Sequence, residues 1–109
     1  MTEQLQLVLI TCADEAEARH IGRALVEARL AACVHLRPHT AIYRWQGRIE
    51  EAAEYTLLAK TVAAHFPALR DAVLALHSYD LPAIVAVPVS EANAAFVAWV
   101  TAETGPTPV

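Results

Sequence analysis

Ala41-Ile42-Tyr43-Arg44-Trp45-Gln46-Gly47-Arg48-Ile49 is the stretch that decides the architecture. Two extended runs flank its Gln46-Gly47 pair, one from about Cys33 to Trp45 and one from Arg48 to Thr61. Glycine at the second loop position accepts a positive φ, as a two-residue hairpin turn requires. A turn there sets Trp45 opposite Arg48, Tyr43 opposite Glu50 and Cys33 opposite Lys60, although a bulge near Pro38 would shift the far end. Strand alternation then separates two faces. Val34, Leu36, Ile42, Ile49, Tyr55, Leu57 and Ala59 form a candidate core face. Cys33, His35, Tyr43, Trp45, Glu54, Thr56, Leu58 and Lys60 form a mixed one. A strand from Cys33 to Trp45 extends roughly 43 Å, whereas a compact domain of this size is roughly 34 Å across. The ribbon therefore overhangs its own domain. Its tip is apolar on both faces, a hazard unless a partner occupies it, and the chain is expected to be an obligate oligomer.

With 109 residues, 56% of them hydrophobic, the chain can bury one core but not two. The expected division is one domain over 1–104 and a flexible tail over 105–109. No apolar run is long enough for a membrane span, and Met1-Thr2-Glu3-Gln4 does not read as a signal peptide. Two cysteines suit a reducing cytosol better than a disulfide scaffold, so the expected location is cytoplasmic. A net charge of −4 with one Lys and scattered Arg argues against nucleic-acid binding.

Outward from the hairpin, Leu5 to Cys12 is almost wholly apolar and suits a central strand. Asp14 opens a helix with Glu17 as its capping-box-like partner, and Ala18, Ile21, Leu25 and Ala28 recur at helical spacing. Thr61 can cap a second helix, with Pro67 in its first turn and Phe66, Leu69, Val73 and Leu76 as its stripe. His77-Ser78-Tyr79-Asp80 is a loop, Ala83 to Val87 a short strand, and Ser90 the cap of a last helix carrying Phe96, Trp99 and Val100. The order β-α-β-β-α-β-α predicts an α+β ferredoxin-like sandwich with a long central hairpin and an extra C-terminal helix. In that sheet the first and third strands are central, both main helices share one face, and the other face is bare.

Several segments together resemble the CutA divalent-cation tolerance family. They are Ala24-Leu25-Val26, Leu30-Ala31-Ala32-Cys33-Val34, Ile42 to Glu50, Leu57-Leu58-Ala59-Lys60-Thr61, His77 to Ile84, and Trp99 in the last helix. The resemblance runs from about Leu7 to Val100. It implies a cytosolic ferredoxin-like homotrimer whose long hairpins pair with neighbouring subunits. It also implies divalent-cation binding or tolerance, copper above all, and a cleft between subunits lined by residues matching Cys33, Tyr43, Trp45, Lys60 and Tyr79. Three positions depart from the family pattern: His35 stands for Asn, Ser78 for Pro, and Ala83 for the Glu of Pro-Glu-Ile, which removes a carboxylate proposed as a copper ligand.

Copper or zinc would want imidazole and thiolate converging on one point. His35 and His39 lie roughly 13 Å apart along a strand. Topology brings Cys12, at the end of the first strand, to the same sheet end as His77. Cys12 with His77, helped by Asp80, can make a two- or three-ligand metal site. Equally, Cys12 can be a small buried hydrophobe and His77 a loop hydrogen-bonder. Lys60 beside Cys33 would favour thiolate, or it can pair with a carboxylate, and Tyr43 and Trp45 can be interface packing. There is no nucleophile elbow and no phosphate-cradling glycine loop, so no enzyme activity is expected. The rival reading is a PII-like signalling or scaffold trimer that binds an anionic metabolite or a partner protein.

Overall fold

A computed structural model describes residues 4–106. The order is β1 (Leu5–Cys12), α1 (Glu15–Glu27), β2 (Cys33–Trp45), β3 (Arg48–Val62), α2 (Phe66–Leu76), β4 (Ile84–Pro88) and α3 (Ala94–Glu103), with a 3₁₀ turn at Ala63–His65. The strands form one antiparallel sheet in the order β2-β3-β1-β4, so β1 and β3 are central as expected. Gln46 and Gly47 both take positive φ, 50° and 79°. That double left-handed turn matches the right-handed twist of the strands it joins. The pairing Cys33 with Lys60 holds, and so does every pair out to Trp45 with Arg48, so Pro38 causes no bulge.

The molecule measures 49 × 27 × 21 Å, and the long axis reflects the ribbon. Ile42 and Ile49, placed on the core face by alternation, are 68% and 63% exposed because they lie beyond the helices. Nearer the body, the same face is dry: Val8, Ile10, Leu57 and Ala59 pack beneath Ile21 and Leu25 of α1 and Leu69 and Val73 of α2. Gly22 lets α1 settle onto the sheet. A Cβ there would lie 3.0 Å from both Leu57 Cδ1 and Val34 Cγ2. Alanine improves helix propensity by about 1 kcal/mol, while overpacking costs about 1–3 kcal/mol. Gly22→Ala is therefore expected to lose about 1 kcal/mol in urea unfolding and Gly22→Val more; a stabilised alanine variant would show that the contact yields.

Three element boundaries differ from expectation. Thr61 caps no helix: it lies within β3, and its hydroxyl donates to the Leu30 carbonyl at 2.7 Å. The last helix begins at Ala94 with Asn93 at its N-cap, not at Ser90, and β4 runs one residue later than Ala83–Val87. On the sheet face away from α1 and α2, Leu9, Val85 and Val87 are 38%, 53% and 41% exposed. That face is not wholly bare. α3 covers its lower end, where Leu5, Val62 and Val100 are buried with Phe96 against them. The tail expected to fray begins at Gly105, whose amide donates to the Arg29 carbonyl at 2.9 Å; residues 107–109 lie outside the described residues.

Candidate functional site

Two groups of side chains meet near the loop after α2. The first follows from helix capping. Asp14 Oδ1 accepts from the Glu17 amide at 2.8 Å, which starts α1 and turns Glu17 back over the end of β1. Glu17 Oε1 then accepts from the Ala13 amide at 2.9 Å, and its Oε2 from the Ser78 amide at 2.9 Å. His77 closes α2, its amide donating to the Val73 carbonyl. Ligand atoms of Cys12, Glu17 and His77 all lie within 4.8 Å of one another. The expected pair therefore does meet, but its third member is Glu17, while Asp80 faces a separate groove.

These atoms are already engaged. His77 Nε2 lies 2.6 Å from the Thr11 carbonyl, which can only accept, and Nδ1 lies 3.0 Å from the Tyr79 amide, which can only donate. The ring thus donates from Nε2 and has no free lone pair at Nδ1. Burial pushes the Cys12 thiol up to about 12, and the carboxylates of Glu17, Asp14 and Glu54 add to the effect. Burial would also raise the Glu17 carboxyl, but hydrogen bonds from Ala13 and Ser78 outweigh it and hold the group below its ordinary value. Metal wants thiolate and an open imidazole nitrogen. As folded, Glu17 and His77 form a hydrogen-bonded latch between β1, α1 and the loop after α2 with Cys12 buried beside it, and the trio does not fit a divalent ion without rearrangement.

The second group is a groove of about 570 Å³ on the far sheet face. Tyr43 and Trp45, two residues apart on β2, form one wall, and Tyr79, Asp80, Leu81 and Ala83 form the other. At its base Glu54 is 6% exposed. The Tyr79 hydroxyl donates to Glu54 Oε2 at 2.6 Å, and His39 Nε2 lies 3.4 Å from Oε1. His39 Nδ1 is in turn hydrogen-bonded to Thr56 Oγ1 at 2.7 Å. Burial, reinforced by that carboxylate, holds the Tyr79 phenol well above its ordinary range. A larger hollow, about 720 Å³ near Gln4 and Val89, contains none of the expected site residues.

Of the five residues expected in one cleft, Tyr43, Trp45 and Tyr79 come together within a single chain. Within that chain Cys33 and Lys60 lie apart from them. They pair with each other across β2 and β3 at the opposite sheet end, and Lys60 Nζ sits 5.4 Å from the centroid of Phe96. Reading the sequence for Cys and His spacing sets His39 aside and passes over Glu54. The signal was nonetheless present, because the hairpin register sets them directly opposite.

An overhanging hairpin on a β-α-β-β-α-β sheet, with a polar-floored aromatic groove along it, defines a small protein of the ferredoxin-like class. The model of the CutA1 divalent ion tolerance protein family matches residues 6–103, and the chain belongs to that family. A divalent-cation tolerance protein of Thermus thermophilus is 50% identical over 101 residues, covering 92% of this chain and 98% of the relative. The human protein CutA is 45% identical over 92 residues, but the chain spans only 51% of its length. Among solved structures, the T. thermophilus Cut A1 protein superposes with a TM-score of 0.90 at 49% identity, covering 93% of this chain and 99% of that one. CutA1 of Oryza sativa gives 0.93 at 28% identity, covering 97% and 98%. Among the described residues no helix is long and apolar enough to cross a membrane.

Proposed function

We propose that the chain acts as a homotrimeric divalent-cation tolerance protein, binding copper or another divalent metal, or a small ligand, in clefts between subunits. The observation that carries this is the ribbon. Ile42 and Ile49 are the most exposed parts of an apolar tip, and Leu9, Val85 and Val87 leave an uncovered apolar patch on the other face of the sheet, nearer its β4 edge. Second copies that laid their hairpins on these faces would remove both from water. Sedimentation equilibrium is expected to give three times the chain mass at micromolar concentration; a single-chain species would overturn the reading. Its two unpaired cysteines support a cytoplasmic setting, and we read it as a binding protein with no catalytic role.

Metal contact at Cys12 and His77 is expected to be weak. The thiol must lose its proton from about 12, and His77 must release the Tyr79 amide. Proton competition gives the sign: below that value, apparent Cu(II) or Zn(II) affinity should rise as pH rises, up to about tenfold per unit for one thiol. Calorimetric titration between mildly acidic and mildly alkaline pH measures it; Cys12→Ser should abolish the slope, and His77→Ala should weaken binding across the whole range. Binding unchanged in both variants would remove the pair from the metal's path. The anionic-metabolite alternative finds less support, since no Lys or Arg lines the groove and Lys60 is occupied with Phe96.

A further inference from the structure

His77 and His39 both sit inside hydrogen-bond networks, but their partners differ in kind. At His77, Nδ1 faces the Tyr79 amide, which can only donate, so a second ring proton would cost that bond. At His39 both partners can accept. Nδ1 lies 2.7 Å from Thr56 Oγ1, a hydroxyl that can donate to a bare nitrogen or accept from a protonated one. Nε2 lies 3.4 Å from Glu54 Oε1, which only accepts when ionised. The His39 ring can therefore take up its second proton without losing a contact. Turning the Thr56 hydroxyl is the only adjustment required.

Glu54 supplies the reason for that proton to bind. It is 6% exposed within a single chain, and a carboxylate so far from water is stabilised by a paired cation. Its Oε2 accepts from the Tyr79 hydroxyl, a neutral donor, and among the described residues Oε1 has His39 as its partner. The surroundings push the same way. Besides Glu54, β3 brings Tyr55 and the turn before α1 brings Asp14 to the hollow that His39 lines, so the one further charge there is negative. On β2 the opposing cation is Arg37, two residues away on the same face, but it is exposed and screened by water. An assembly that covers this sheet face would take the remaining water from Glu54 and leave it with Tyr79 and His39 alone.

We propose that His39 is a proton-operated clasp: charged, it pairs with Glu54 and ties β2 to β3 and, through Tyr79, to the loop after α2; neutral, it leaves the carboxylate poorly compensated and the clasp loosens. The sign follows from linkage. A histidine that holds its proton more tightly folded than unfolded contributes stability that is full below the range where a free imidazole titrates. That stability is lost as pH rises through the folded midpoint. The clasp therefore tightens in mild acid and loosens in mild alkali. It is built within one chain, and covering by neighbours would strengthen it. Histidine NMR of the full chain between about pH 5 and about pH 8 reads it directly. His39 should keep its proton to higher pH than His20, which is exposed on α1. Glu54→Gln should lower the proton affinity of His39 about tenfold, a midpoint about one pH unit lower. In guanidinium unfolding, the advantage of the unsubstituted chain over His39→Gln should be larger at the acid end than at the alkaline end. His39 losing its proton together with His20, a midpoint indifferent to Glu54→Gln, or an advantage constant with pH would each overturn the assignment. Should Glu54→Gln fail to fold, the comparison of His39 with His20 in the unsubstituted chain still decides. Sedimentation of the same samples separates the two proposals. A single-chain species whose His39 behaves as expected sinks the trimer and supports the clasp, whereas a trimer with an indifferent His39 does the reverse.

Discussion

Replacing Ile42 and Ile49 together by aspartate is expected to yield single chains that keep their secondary structure but do not form the proposed homotrimer. The two side chains are diagonal neighbours on one face of the ribbon and are 68% and 63% exposed. Fully covering an isoleucine is worth about 1.5–3 kcal/mol. Two of them in each of three copies give an upper bound of about 9–18 kcal/mol for an assembly, and buried aspartate would add a desolvation cost on top. Within one chain the cost is small: the turn is set by Gln46 and Gly47, and strand propensity differences span only about 1 kcal/mol. Sedimentation should therefore change completely and far-UV circular dichroism hardly at all. Ile42→Val with Ile49→Val, which keeps both faces apolar, should still assemble. A double aspartate variant that stays trimeric would show that the tip is solvent-facing in the assembly and that the cover lies elsewhere.

Most of the fold was legible because its strongest signals are local and redundant. Gly47 between two extended runs fixed the turn, and the turn fixed the register from Trp45 with Arg48 down to Cys33 with Lys60. Asp14 and Glu17 fixed the start of α1. The misplaced boundaries lie where a residue type has two uses. Thr61 is both a good cap and a good strand residue, and its buried hydroxyl found the Leu30 carbonyl. Ser90 is a fair cap, but Asn93 begins the helix that the packing of Phe96 and Val100 on Leu5 and Val62 selects. At the site, topology alone brought Cys12 to His77. It could not reveal that Thr11 and Tyr79 already hold both ring nitrogens, because that depends on angstrom-scale placement of two backbone groups. Lys60 was read against Cys33 or a carboxylate, and its place 5.4 Å from the Phe96 ring was not legible, because the covering by α3 is a tertiary fact without a local pattern.

Arg29→Ala is expected to loosen α3, and, against the usual order of substitutions, more so than Arg29→Gly. Arg29 follows α1 with φ of 60°, a left-handed conformation that glycine adopts without strain and other residues adopt at a cost of about 1 kcal/mol or more. Its guanidinium reaches across to the other end of the chain. Nη2 donates to the Ala102 carbonyl at 2.6 Å and Nε to the Gly105 carbonyl at 2.8 Å, while Nη1 lies 3.9 Å from Glu103. α3 has no basic residue of its own in its last turn, so this cation satisfies its terminal carbonyls and complements its dipole. Hydrogen bonds to a charged group contribute about 1.5–3 kcal/mol each. With the side chain 23% exposed, screening lowers the pair to about 2–4 kcal/mol in all. Alanine loses that and keeps the backbone strain. Glycine loses it and relieves the strain, so it should be less destabilising by about 1 kcal/mol. Lysine, a point charge without the planar fork, should retain part of the effect. Hydrogen exchange resolves the mechanism: α3 amides should exchange faster in Arg29→Ala while those of β1 and β3 keep their protection. Uniform loss across the sheet, or alanine milder than glycine, would mean that Arg29 acts on the fold through α1 and not by holding down the helix that covers Leu5, Val62 and Lys60.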